Sequence, residues 1–291
     1  MEETRRIEAA LEACLQEATA TGCPPLLAEA LRHAVFPGGA RLRPQLTLAV
    51  AAACGDDQPL LADAAACAIE LLHCASLVHD DLPCFDDAAF RRGRPSVHKA
   101  FGEELAVLAG DALIVHAFAW LGRAGARRPA RLAGLLQLVA RGVGAPHGIV
   151  AGQAWEGEPV VDLAAYHRSK TGALFAAAAA AGAQAAGADG KVWYEVGMRL
   201  GQAYQVADDL GDATGSAAAL GKPVGQDAAH RRPTAVQAYG LDGATSLLRS
   251  LLDEALAQVP LCEGREAIRA WIRGAVERVL PPPARRAVSG S

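Results

Sequence analysis

Sheet-forming signals are what this chain has least of. Aromatic residues fill 5% of its 291 positions, β-branched runs are short, and no stretch alternates polar with apolar side chains. Strands draw on those features, so sandwiches, barrels and parallel α/β folds are excluded. The seven cysteines (Cys14, Cys23, Cys54, Cys67, Cys74, Cys84, Cys262) are odd in number, contain no Cys-x-x-Cys and mostly sit among Ala and Leu. They read as reduced core thiols of a cytoplasmic protein. No His-Glu-x-x-His or other zinc spacing occurs, and His33, His116, His147 and His167 are scattered singly, as packing residues are.

Charge of one sign is lacking too. A formal net charge of -4 and a pI near 6.1 give no general attraction to nucleic acid or anionic lipid, so an anionic ligand has to be captured by local cations. The segment Met1 to Arg6 is charged, and the most apolar run, Leu174 to Ala183, is mostly alanine. Neither a secretion signal nor a membrane span is expected. There is no internal repeat and no hinge-like linker. Residues 1–291 read as one domain, with 281–291 as a flexible tail.

What is present is helix. Long Ala/Leu/Glu/Arg-rich segments lie near 5–20, 58–81, 104–122, 130–142, 163–185, 191–212 and 244–258, split by Gly, Pro and Asp. With 52% hydrophobic residues, the expected fold is all-α, a large single-domain bundle around an apolar interior. Leu105 to Leu121 is apolar around most of its circumference, which places it at the centre of that bundle, wrapped by other helices.

Two aspartate clusters stand inside these apolar segments: Asp80-Asp81-Leu82-Pro83-Cys84-Phe85-Asp86 and Asp208-Asp209-Leu210-Gly211-Asp212. Aspartates rarely enter such surroundings unless paired or bound to a cation. His73, Ser76 or Leu77, and Asp80 share one helical face and are expected to line a cavity. Pro83 disfavours continuation of the helix, so the chain bulges after Asp81 and brings Asp86 round towards Asp80. That pair suits Mg²⁺, which takes oxygen ligands from one or two carboxylates together with substrate phosphates. A solvated acidic loop at a helix end is the competing explanation. Arg91-Arg92-Gly93-Arg94-Pro95, with His98 and Lys99 beyond, offers guanidinium forks to a diphosphate, or else simple surface pairing.

In the second cluster Asp208 and Asp212 share a face, with Gln205 one turn earlier. Gly221-Lys222-Pro223-Val224-Gly225 and Arg231-Arg232-Pro233-Thr234 follow, and read either as a basic lid over a bound phosphate or as an ordinary loop.

Taken together these residues resemble the trans-isoprenyl diphosphate synthases over nearly the whole chain. Gly38-Gly39-Ala40-Arg41-Leu42-Arg43-Pro44, Leu108 to Asp111, Gly152-Gln153, Lys170-Thr171 and Tyr204-Gln205 are similar to further signatures of that family. Leu72 to Asp81 also resembles the geranylgeranyl diphosphate synthases of bacterial carotenoid biosynthesis. The resemblance implies magnesium, three ions with substrate bound, on Asp80, Asp86 and Asp208, with Asp81, Asp209 and Asp212 in support directly or through water. It implies that Arg91, Lys170, Thr171, Gln205, Lys222 and Arg232 hold an allylic diphosphate, and that Arg43, His73 and Arg92 hold isopentenyl diphosphate. A homodimer is implied as well.

Three departures stand out. Ala40 replaces a lysine that contacts isopentenyl diphosphate, Tyr204 replaces a phenylalanine, and Arg232 replaces a lysine while keeping the charge. The implied chemistry is ionisation of the allylic diphosphate followed by attack of the isopentenyl double bond, in a pocket that excludes water. Ala75 and Ser76, small and one turn below Asp80, leave the cavity open, so the expected product is geranylgeranyl diphosphate. Farnesyl diphosphate is the alternative. A terpene synthase on the same scaffold and a silent partner subunit are the competing functions. A carboxylate di-iron site lacks its Glu-x-x-His pairs. Asp111 reads as a structural aspartate in a buried helix, and His79 and His98 adjoin the site.

Overall fold

Helices carry most of the described residues, 2–214 and 233–279, of the computed structural model. They run as α1 (Glu2–Ala18), α2 (Pro25–Val35), α3 (Leu42–Ala53), α4 (Pro59–Asp80), α5 (Val97–Phe101), α6 (Glu103–Gly125), α7 (Pro129–Val143), α8 (Ile149–Ala154), α9 (Leu163–His167), α10 (Ala173–Ala185), α11 (Gly190–Thr214), α12 (Ala235–Gln258) and α13 (Arg265–Val279). Proline opens α2, α4 and α7, where its missing N–H is no loss. Asp162 caps α9 and Thr234 caps α12 through their side-chain oxygens.

The centre of the bundle is α10. Every residue from Ala173 to Ala185 except Gln184 is buried, and most of those side chains are methyl groups. With nothing longer between them, neighbouring backbones approach closely. A Cβ on Gly182 would stand 2.2 Å from the Thr47 carbonyl oxygen, and one on Gly197 would stand 2.5 Å from that of Phe175. Thr47 Oγ1 ties α3 to α10 by donating to the Ala178 carbonyl at 3.0 Å. On the other side of the bundle, Arg41 is 3% exposed and donates to Glu70 at 2.6 Å, Glu8 at 2.8 Å and the Val35 carbonyl at 2.8 Å. One guanidinium thus joins α1, α2 and α4 at the start of α3. Loss of one partner from a buried pair costs about 3–5 kcal/mol.

Four features depart from the sequence expectation. The segment 163–185 is not one helix: residues Arg168–Gly172 form a single π-helical turn between α9 and α10. The short strands β1 (Phe90–Arg91) and β2 (Arg94–Pro95) make a hairpin whose turn residues Arg92 and Gly93 have φ of 54° and 75°. α2, α3 and α13 carried no clear signal, and α12 starts nine residues early and is broken at Gly240. Lastly, α6 is not wrapped. Leu108 and Val115 on it are 53% and 69% exposed, so its all-round apolar character serves a face that this chain leaves open. α4 and α6 are each long and apolar enough to cross a membrane; 78% of the α4 window is buried in the bundle, against 33% for α6.

Candidate active site

A cavity of about 1130 Å³ opens between α4, α6, α8, the π turn, α10 and α11. Its mouth is acidic and cationic, its depth apolar. From α4 come Leu72, His73, Ala75, Ser76, His79 and Asp80; from α11 come Tyr204, Gln205 and Asp208. Both aspartate motifs therefore face one space.

α4 ends at Asp80, and the next residues fold back. The Asp86 amide donates to the Asp80 carbonyl at 3.0 Å, and the Ala88 amide to that of Asp81 at 3.2 Å. Carboxylate oxygens of Asp80, Asp86 and Glu156 lie within 4.8 Å of one another. The Asp80 and Asp86 oxygens fit Mg²⁺, with Glu156 beside them. Asp208 lines the opposite wall.

Asp81 and Asp209 lie outside this lining, each held by its own partners. Asp81 is 2% exposed and is gripped by the Arg91 Nε and Nη2 groups; burial raises its carboxyl pKa, and the Arg91 bonds oppose that rise. Asp209, also 2% exposed, accepts from the Ala235 amide at 2.7 Å and from Gln205 Nε2 at 2.9 Å, with His167 Nε2 at 3.5 Å. It ties α11 to the start of α12 and orients Gln205, whose Oε1 accepts the Thr171 hydroxyl at 2.5 Å. Thr171 and Gln205 line the cavity, and Asp209 braces them from behind. Asp212 lies near the end of α11, outside the cavity lining. Lys222 and Arg232 lie outside the described residues, as does the tail 281–291.

Arg43, His73 and Arg92 line the cavity together. Burial, reinforced by Arg43 and Arg92, holds the His73 pKa well below its usual value, so its neutral Nε2 accepts from Arg43 Nη1 at 3.3 Å. Arg43 also lies 4.6 Å over the Phe175 ring. The hairpin swings Arg92 over Gly39, where a Cβ would stand 3.0 Å from its Nε. Ala40 lies at the exposed edge of this group. Ala75 is 1% exposed, and Ser76 Oγ donates to the His73 carbonyl at 2.8 Å.

The expectation of Asp111 as a structural aspartate in a buried helix is corrected. Its side chain is 61% exposed and lines the cavity, with His79 Nε2 at 3.8 Å. His79 packs on Gly110, where a Cβ would fall 2.0 Å from its ring. His98 is buried, contacting Ser96 Oγ at 3.0 Å and Asp87 at 3.3 Å, and so braces the exit of the acidic turn with Lys99. Glu156 was missed altogether. A lone glutamate beyond Gly152-Gln153 carries no spacing that marks it, and only the fold brings it to Asp80 and Asp86.

A sequence profile of the polyprenyl synthetase family matches residues 24–269. The chain belongs to that family. The synthetase is 53% identical to the geranylgeranyl diphosphate synthase of Cereibacter sphaeroides over 277 residues, covering 95% of this chain and 96% of that one. It is 51% identical to the Rhodobacter capsulatus enzyme of the same name, covering 96% and 97%. Among solved structures it resembles the geranyltransferase of Helicobacter pylori complexed with magnesium and isoprenyl diphosphate, with a TM-score of 0.76, 29% identity, and coverage of 94% and 95%. The synthetase is a prenyltransferase of all-α fold.

Proposed function

We propose that the chain condenses isopentenyl diphosphate with allylic diphosphates, head to tail, and releases chiefly the C20 geranylgeranyl diphosphate. One observation carries this: a single cavity has carboxylates on facing walls at its mouth, two arginines with His73 beside them and small side chains at Ala75 and Ser76. Asp80 and Asp86 on one wall and Asp208 on the other would hold magnesium, three ions in our reading, with the Glu156 carboxylate close by. When bound, magnesium supplies Lewis-acid stabilisation of the departing diphosphate.

The chain's own residues do the rest. Lys170 places an ammonium at the mouth, while Arg43 and Arg92 present donors to a second anion, with neutral His73 holding Arg43 in place. Thr171 and Gln205, held by Asp209, set oxygen dipoles where allylic positive charge develops. Leu72, Ile114, Val143 and Leu174 keep the inner cavity apolar, so the tail displaces water as it grows. The exposed apolar stripe of α6 supports a homodimer, and the apolar α4 finds its place inside the bundle, which supports a cytoplasmic protein.

The test is incubation of the pure protein with dimethylallyl and isopentenyl diphosphates plus Mg²⁺, followed by identification of the dephosphorylated alcohols. Geranylgeraniol is expected, with no turnover in EDTA. Hydrocarbon or alcohol formed without isopentenyl diphosphate points instead to a terpene synthase.

A further inference from the structure

Glu156 sits in the 3-10 turn Trp155–Gly157 between α8 and α9, outside both aspartate motifs. Its side chain is 14% exposed. Donors from three elements converge on its carboxylate. Lys170 Nζ and the Tyr166 hydroxyl meet Oε1, the hydroxyl at 2.7 Å, and Gln153 Nε2 meets Oε2 at 3.2 Å. Tyr166 is buried, and its ring centroid lies 5.8 Å from the Lys170 ammonium.

The main chain of Lys170 is fixed from the other side. It belongs to the π turn, and Gly152 on α8 packs against it so closely that a Cβ there would stand 2.4 Å from the Lys170 nitrogen and Cα. Single π turns of this kind recur at functional sites because they re-aim the side chains they carry. A lysine has a flexible four-carbon stem, and ordering it costs rotamer entropy. Here that ordering is already done, with the backbone seated on Gly152 and the ammonium tethered to Glu156.

We infer that Glu156 is a positioning residue that holds the Lys170 ammonium in place at the mouth of the cavity, ready for a diphosphate. An ammonium has three N–H donors, and the tether uses one of them. Tyr166 and Gln153 engage both oxygens of the carboxylate, so it stays with the α8–α9 side as a strut. This inference rests on the proposed function for its ligand, and the pre-ordering it describes favours binding more than the chemical step.

The test uses inorganic pyrophosphate with Mg²⁺, titrated calorimetrically into the full chain and into Glu156→Gln, Lys170→Gln and the double variant. Glu156→Gln is expected to weaken binding about 10-fold, Lys170→Gln at least as much, and the double variant no more than Lys170→Gln alone. In turnover, Glu156→Gln should raise KM for the allylic diphosphate more than it lowers kcat. Tyr166→Phe loosens the same strut without touching a charge. It should weaken binding about 3-fold, again only while Lys170 is present, and it carries the test if thermal unfolding shows Glu156→Gln to be misfolded. Wild-type affinity or tighter binding in Glu156→Gln overturns the inference, as does a loss that persists undiminished in the Lys170→Gln background, the mark of a direct cation ligand. A wild-type chain that binds magnesium pyrophosphate but elongates nothing removes the proposed function and leaves this inference standing.

Discussion

At the scale of single residues, the site divides into side chains that meet the cavity and side chains that hold them there. Asp80 and Asp208 belong to the first kind, with the Asp86 carboxylate beside Asp80, and Asp81 and Asp209 to the second. Ala75 is small where the tail must pass, so Ala75→Tyr is expected to shift the product towards C15. Chromatography of the dephosphorylated alcohols reads this directly, and an unchanged profile removes Ala75 as a length determinant. His167 carries a different prediction. Burial lowers its pKa from 6.5 to about 4. The unfolded chain therefore binds that proton more readily, and stability falls as pH drops from about 6.5 through 4, by on the order of 3 kcal/mol in full. His167→Gln should flatten this acid-side decline in the thermal midpoint. A slope unchanged from wild type assigns the decline to other groups.

At the scale of elements, the π turn is the joint on which Lys170 and Thr171 depend, and Gly152 is what lets it seat. Gly152→Ala is expected to force α8 off that turn, costing about 1–3 kcal/mol of stability. The denaturant midpoint measures the cost. A parallel fall in pyrophosphate affinity would link the joint to the site, and a wild-type midpoint and affinity would show that α8 yields without consequence. The helices with long Ala/Leu periodicity were legible in the sequence, as was the turn that returns Asp86 to Asp80, because Pro83 and helical spacing are local facts. The π turn was not, since nothing within 163–185 marks it and its register is set by packing on α8. Glu156 was hidden for the same reason. Its importance arises from where α8 and α9 meet α4, and spacing along one helix does not report that. The tie from Asp209 to the start of α12 was hidden too, because an aspartate inside a motif looks the same whether it faces a cation or caps a neighbouring helix.

At the scale of the whole molecule, the sequence foretold an all-α fold and one cavity between two acidic walls. It misplaced α6, because an apolar helix buried by its own chain and one that leaves an apolar face exposed share the same composition. The stripe through Leu108 and Val115 is where a second copy would pack, and Val107, Asp111 and Ile114 on the same helix line the cavity. Val115→Glu is expected to give monomers in sedimentation velocity, against dimers for the wild type. A dimeric variant would place the interface elsewhere.

The alanine helix α10 has a consequence for how such a catalyst diversifies. Beyond Leu174 and Phe175 its methyl groups leave no bulk to trim, and its glycine contacts with α3 and α11 leave no room to add any. Lineages that acquire longer or shorter products would then vary the α4 and α6 sides of the tunnel, while the α10 side stays constant as a datum from which the others are measured.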